Sequence, residues 1–258
     1  MRLAMWLAAS LLALGPLGAT NARAAMINLG PGSFAPSAPV ITFDEVPLGT
    51  VNPTFDFTGV PGPGNVTVSF AGHFVGQAAG AGPIFPQMVT LIDHTPTGPL
   101  ALDPASPGTV TATDSAPGAT SPGLSGSPTF NGPISVLFSV PVAGVGLKGG
   151  SFDTVNSTTI EAYDGNGAVL GRITNTTTGF ELYGIADSGG ASVIKGLSLF
   201  ITGSELIGFQ IDDVTFEAGD VVNPTPVPEP ATLVLFGSGL AGLLAVARGR
   251  KRGSSPPT

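Results

Sequence analysis

The chain contains no cysteine. A disulfide frame, a thiolate nucleophile and a thiolate metal centre are all excluded. Histidine is nearly absent: His73 and His94 are the only two in 258 residues. Neither has a second histidine at a metal-binding spacing such as H-x-x-x-H. No serine lies in a G-x-S-x-G setting, so the strand-turn-helix nucleophile of the α/β-hydrolases is missing. Basic residues are few. Between residues 25 and 226 the bases are Lys148, Arg172 and Lys195 against 16 acids, a formal balance of −13, more acidic than the −8 of the whole chain. Such a field disfavours nucleic acid and anionic membrane surfaces as partners. Aromatic hydroxyls and indoles are equally scarce: Trp6 lies in the leader, and Tyr163 and Tyr183 are the only tyrosines. A sugar-cleaving cleft with a stacking platform is poorly provided for.

Glycine and proline are abundant, at 38 and 25 residues. They punctuate short apolar runs of period two, the pattern of half-buried strands. Val40 to Asp44 reads as a first strand, Val66, Val68 and Phe70 as another, and Met88 to Ile92 as a third. Ile134, Val136, Phe138 and Val140 alternate, and Val145 and Leu147 follow. Thr158 to Tyr163 and Ala168 to Ile173 flank Asp164-Gly-Asn-Gly167. Asn and Gly tolerate positive φ there, so the segment predicts a hairpin. Phe180 to Ile185 and Val193 to Ile201 are further strands. Ile207, Phe209 and Ile211 alternate on odd numbers, Val214 and Phe216 on even ones. That change of phase predicts a β-bulge at Asp212-Asp213. About ten strands separated by turns predict an all-β fold, an antiparallel β-sandwich of jelly-roll type, over residues 25–222. Residues 95–128, with seven prolines and few large apolar groups, read as a long loop.

Both ends carry targeting patterns. Arg2, the apolar run Leu3 to Leu14 and the small residues Ala22 and Ala24 read as a secretory signal peptide over residues 1–24, cleaved after Ala24. Ala231 to Ala247 is 17 residues without a charge, about 25 Å as a helix and just long enough to cross a bilayer. Glu217, Asp220 and Glu229 precede it, and Arg248, Arg250, Lys251 and Arg252 follow. The positive-inside rule puts the C-terminus in the cytoplasm and the body outside. The span includes Gly237-Ser-Gly239-Leu-Ala-Gly242, literally G-x-G-x-x-G. It lacks the preceding strand and downstream acid of a dinucleotide site, so small residues in a membrane helix explain it better.

Val227-Pro228-Glu229-Pro230, the apolar span and the basic cluster together resemble the PEP-CTERM sorting signal over residues 223–258. That resemblance implies recognition by an exosortase, a membrane-embedded cysteine protease-transpeptidase, in bacteria that make exopolysaccharide. It implies cleavage near Pro228-Glu229-Pro230 and a mature protein at the cell surface, released or attached. A structural or binding role is the leading expectation, with exopolysaccharide a candidate partner. A secreted glycan hydrolase or an adhesin-like module are the alternatives.

One metal arrangement is suggested by the pattern. If the first and last strands pair, Asp44 and Glu45 approach Asp212 and Asp213. Calcium takes about six to eight hard oxygens, so these four acids are a candidate Ca²⁺ site. No catalytic constellation is found.

Overall fold

A computed structural model describes residues 25–82, 88–114, 118–119 and 122–218. Fifteen strands are present among them: β1 Met26–Leu29, β2 Val40–Ile41, β3 Thr54–Val60, β4 Gly64–Ala71, β5 Ala78–Ala81, β6 Val89–Asp93, β7 Val110–Ala112, β8 Gly123–Ser125, β9 Ile134–Val142, β10 Gly144–Phe152, β11 Thr158–Tyr163, β12 Val169–Thr174, β13 Gly179–Asp187, β14 Ile194–Ile201 and β15 Gln210–Glu217. They form a seven-stranded sheet of order β1-β13-β10-β15-β8-β7, with β2 also on β15, and a six-stranded sheet of order β12-β11-β14-β9-β4-β3. A β5-β6 hairpin stands apart. Among the described residues, the strand pairings in the two sheets are antiparallel.

The two sheets share one hydrophobic core, which makes the body sandwich-like. Ile134, Val136 and Phe138 of β9 meet Ile211, Val214 and Phe216 of β15 within it. The rings of Phe138 and Phe216 lie 5.4 Å apart, and Phe57 and Phe216 5.3 Å apart. Each such side chain stabilises the fold by about 1.5–3 kcal/mol through burial, and the ring geometry adds about 0.5–1.5 kcal/mol. The chain passes from one sheet to the other between β9 and β10 at the buried Ala143.

Both local predictions about turns and bulges are realised. Asp164 Oδ1 accepts from the backbone N–H groups of Asn166 and Ala168, both at 2.9 Å, and Gly167 takes φ 80°. This closes the β11-β12 hairpin. On β15, Gly146 pairs with Thr215 but Lys148 pairs with Asp212, so β15 carries one residue too many. Asp213 takes φ 48° at that point, a left-handed conformation that Asp tolerates better than most residues.

The strand pairing that the calcium arrangement requires is present, between β2 and β15: Ile41 opposes Val214, and Val40 opposes Thr215. The final strand is shorter than the alternation suggests. It begins at Gln210, and Ile207 is 64 % exposed rather than buried.

Residues 95–128 depart from the expectation of a long loop. They contain β7 and β8, which extend the seven-stranded sheet beyond β15. Leu124 is fully buried. Leu100 packs with Phe74 and Tyr163, and polar groups, which a search for apolar residues overlooks, hold the stretch around β7. Thr111 Oγ1 donates to the Pro47 carbonyl at 2.8 Å, Thr109 N–H donates to Asn52 Oδ1 at 2.7 Å, and backbone bonds join Gly49 to Thr111 and Thr50 to Thr111. Each hydrogen bond contributes only about 1 kcal/mol net, but together they dock the segment.

Candidate functional site

The outward side of the six-stranded sheet carries an unusual row. Cross-strand register aligns Ser135 on β9 with Ser198 on β14, Ser198 with Glu161 on β11, and Glu161 with Arg172 on β12. Alternation would place these polar residues in water. Instead the segment around β5 and β6 lies across them, and Ser135, Ser198 and Glu161 are fully buried. Phe74 and Leu100 pack on Tyr163 in the adjoining row, and the tilted rings of His94 and Phe200 have centroids 4.6 Å apart.

Covering a polar row requires that its hydrogen bonds be remade. Ser135 and Ser198 share a bond of 2.8 Å. Gln77 reaches down from the covering segment: its Oε1 accepts from Phe74 N–H at 2.8 Å and from Ser198, and its Nε2 donates to Tyr163 Oη at 2.9 Å and to the His94 carbonyl at 3.0 Å. Tyr163 Oη donates to that same carbonyl at 3.1 Å. Burial, and secondly the Glu161 charge, push the Tyr163 hydroxyl well above its ordinary range, so it stays a neutral donor.

Glu161 is the charged member. Arg172 Nε lies 2.6 Å from its Oε2, and His94 Nδ1 lies 3.8 Å away. Both Glu161 oxygens are buried without a hydrogen-bond partner, so its link to Arg172 is an ion pair. A buried carboxylate needs a cation, and Arg172 supplies it while its own side chain remains 56 % exposed. The row therefore runs from a sealed interior to an open end at Arg172. His94 Nε2 sits 3.1 Å from the Leu91 carbonyl, so that ring is held in place rather than presented to a substrate.

The open end leads into a groove of about 570 Å³ lined by Asn28, Asn156, Thr159, Arg172, Thr174 and Thr202. It adjoins a groove of about 560 Å³ through Asn28, Ile173 and Thr174, and one of about 340 Å³ through Thr202.

A second polar cluster sits between the turn after β10 and the connection from β14 to β15. Glu205 is fully buried; its carboxylate accepts from Asp153 N–H at 3.1 and 3.2 Å and from Ser157 Oγ at 2.6 Å. Asp153 Oδ2 in turn accepts from Leu206 N–H at 2.5 Å and Ile207 N–H at 3.0 Å. The two acids thus clamp one loop to the other through backbone groups. Burial pushes Glu205 up from 4.5 to about 7.

The sequence-predicted residues fall differently. Ala22, Ala24, Val227, Pro228, Glu229, Pro230, Arg248, Arg250, Lys251, Arg252 and the span 231–247 lie outside the described residues. Among the described residues no helix is long and apolar enough to cross a membrane. The four candidate calcium ligands are not drawn into one cluster, although their strands pair. Beside β15, β8 takes Gln210 and Ile211 while β2 takes only Val214 and Thr215, so the chain leaves the sheet after Ile41. Glu45 instead turns back to accept from Thr42, Asp44 is exposed, and Asp212 Oδ1 accepts from Asp213 N–H at 2.8 Å. Among the described residues no group of three or more His, Asp or Glu side chains is placed to hold a metal ion. His73 is buried, with Nδ1 3.1 Å from the Phe74 carbonyl and 3.8 Å from Asp103.

The polar row was not singled out from the sequence. Counting back from the Asp164–Gly167 turn puts Glu161 opposite residue 170 or 171, and only a register shift between Ala162 and Tyr163 brings it opposite Arg172, so this opposite-charge pair was not legible either. The covering segment, which turns an outer face into an interior, carries no local signal.

Body and tail define a class of protein: an all-β exported body with its sorting information carried at the C-terminal end. The family model for the PEP-CTERM protein-sorting motif matches residues 226–251. The chain is therefore a PEP-CTERM sorting domain-containing protein, exported and sorted to the cell envelope by an exosortase. No curated protein and no solved structure matches it.

Proposed function

We propose that the mature protein is a cell-surface or exopolysaccharide-matrix component whose all-β body has a structural or binding role. The signal peptide ends at Ala24, the precursor is held by residues 231–247 with Arg248, Arg250, Lys251 and Arg252 in the cytoplasm, and exosortase cuts near Pro228-Glu229-Pro230. The observation that carries this reading is the sorting motif at residues 226–251, which takes in Arg248, Arg250 and Lys251 of the basic cluster that stops transfer. The alternation of strands between two antiparallel sheets supports the finer jelly-roll description.

Intact-mass measurement of the surface and secreted forms tests it. The mature protein is expected to begin at Ala25 and to lack Leu233 to Arg252. Mature surface protein that still contains Arg252 refutes the processing. The glycan-hydrolase alternative needs two carboxylates facing a cleft. The Asp153–Glu205 pair does not favour it, since both carboxylates are engaged with backbone N–H groups.

A further inference from the structure

We propose that the groove ending at Arg172 is a binding site for a neutral, polyhydroxylated glycan chain. The inference rests on the binding role proposed above and names its ligand class.

The groove's donors are held ready. Glu161, rooted in the buried row, holds Arg172 by charge, with Nε 2.6 Å from Oε2. The Arg172 side chain is 56 % exposed, and its guanidinium is a planar fork of donors that suits adjacent hydroxyl oxygens. Asn156 Oδ1 accepts from Thr174 Oγ1 at 2.6 Å, which orients the amide and leaves its Nδ2 as a donor. Thr159 and Thr202 hydroxyls share a bond of 2.9 Å, so their remaining lone pairs accept. Asn28 adds an exposed amide from the opposite sheet edge. Such mixed donors and acceptors match hydroxyl groups, each of which both gives and takes a hydrogen bond.

Charge decides between ligand classes. The Arg172 cation is cancelled locally by Glu161, and the exported part carries −13 overall. A uronate, sulfate or phosphate would meet no net positive potential. A neutral chain pays no such penalty. The groove continues at both ends into its neighbours through Thr174 and Thr202, so it suits a segment of polymer rather than a single sugar. No aromatic ring lines the central groove. Hydrogen bonds exposed to water give weak binding per site, and the assay must tolerate weak affinity.

Affinity electrophoresis of the full chain in detergent, through gels containing dextran, galactomannan, xyloglucan, alginate or hyaluronan, tests the site. Retardation by at least one neutral polymer is expected, with none by alginate or hyaluronan. Arg172→Lys keeps a cation on Glu161 but loses the fork. Asn156→Gly removes the amide and suits φ 62°. Each variant should weaken retardation at least tenfold while melting within a few degrees of the parent. Three results overturn the proposal: no retardation by any neutral polymer, retardation by anionic polymers alone, or retardation unchanged in both correctly folded variants. Correct export and tail removal alongside any of these would leave the sorting reading intact.

Discussion

Glu205→Gln gives a direct test of how the loop clamp is built. Gln keeps the size of the side chain and an oxygen to accept from Asp153 N–H and Ser157, but it cannot titrate. In the wild-type protein burial raises Glu205 from 4.5 to about 7, and nearby Asp153 adds to the effect while the Ser157 and backbone hydrogen bonds oppose it. The unfolded chain releases its proton near pH 4.5 and the folded chain near pH 7. Between those values the folded state binds more protons, so the contribution to stability is fully present below pH 4.5 and is lost as pH rises through 7. At about 1.36 kcal/mol per pH unit the interval corresponds to about 3 kcal/mol. Leu206 and Ile207 beside it are exposed, and an effective dielectric above that of a dry interior reduces this to about 2 kcal/mol. Other carboxylates titrate in the same range, so the informative quantity is the wild-type stability minus that of the variant, measured by urea unfolding from pH 4 to 8. That difference should fall by about 2 kcal/mol, equivalent to about 4–8 °C in melting temperature for a domain of this size. Parallel curves across the whole range would refute the buried, proton-holding carboxyl.

Leu124→Ala should cost about 2–5 kcal/mol in denaturant unfolding, since Leu124 is fully buried in β8 and leaves a cavity; a loss below 0.5 kcal/mol would restore the view of residues 95–128 as a bare loop. Asp213→Val should cost about 1–2 kcal/mol because a β-branched residue resists φ 48°, whereas Asp213→Gly should stay within about 0.5 kcal/mol of the parent; equal costs would place the bulge elsewhere.

The legible parts of this fold are those set by local pattern. Alternation identified β4, β9, β11, β13 and β14, and Asp164-Gly-Asn-Gly167 marked its hairpin because few residues accept that backbone. The phase slip at Asp212-Asp213 gave the bulge, since period two allows no extra residue without one. By contrast, β7 and β8 are three residues each and are held by threonine and backbone hydrogen bonds to Asn52, Pro47 and Thr50. β1, β3 and β5 were likewise not anticipated; in β3 the two threonines, one aspartate and one glycine of Thr54–Val60 dilute the apolar signal at an edge, where one side faces water.

For the protein as a whole, the sequence by itself determined the destination. A sorting motif is read as a linear order of short motif, apolar span and charge, and needs no folded partner to be recognised on the page. It also determined the all-β class, because periodicity is a property of neighbouring residues. Only the tertiary structure decided the rest. Whether Ser135, Ser198 and Glu161 meet water or protein depends on a segment tens of residues away crossing their face. Whether four acids gather depends on which strand occupies the edge of β15. Burial and convergence are properties of distant chain segments, and they alone turned Arg172 from one of three scattered cations into the fixed end of a buried polar row.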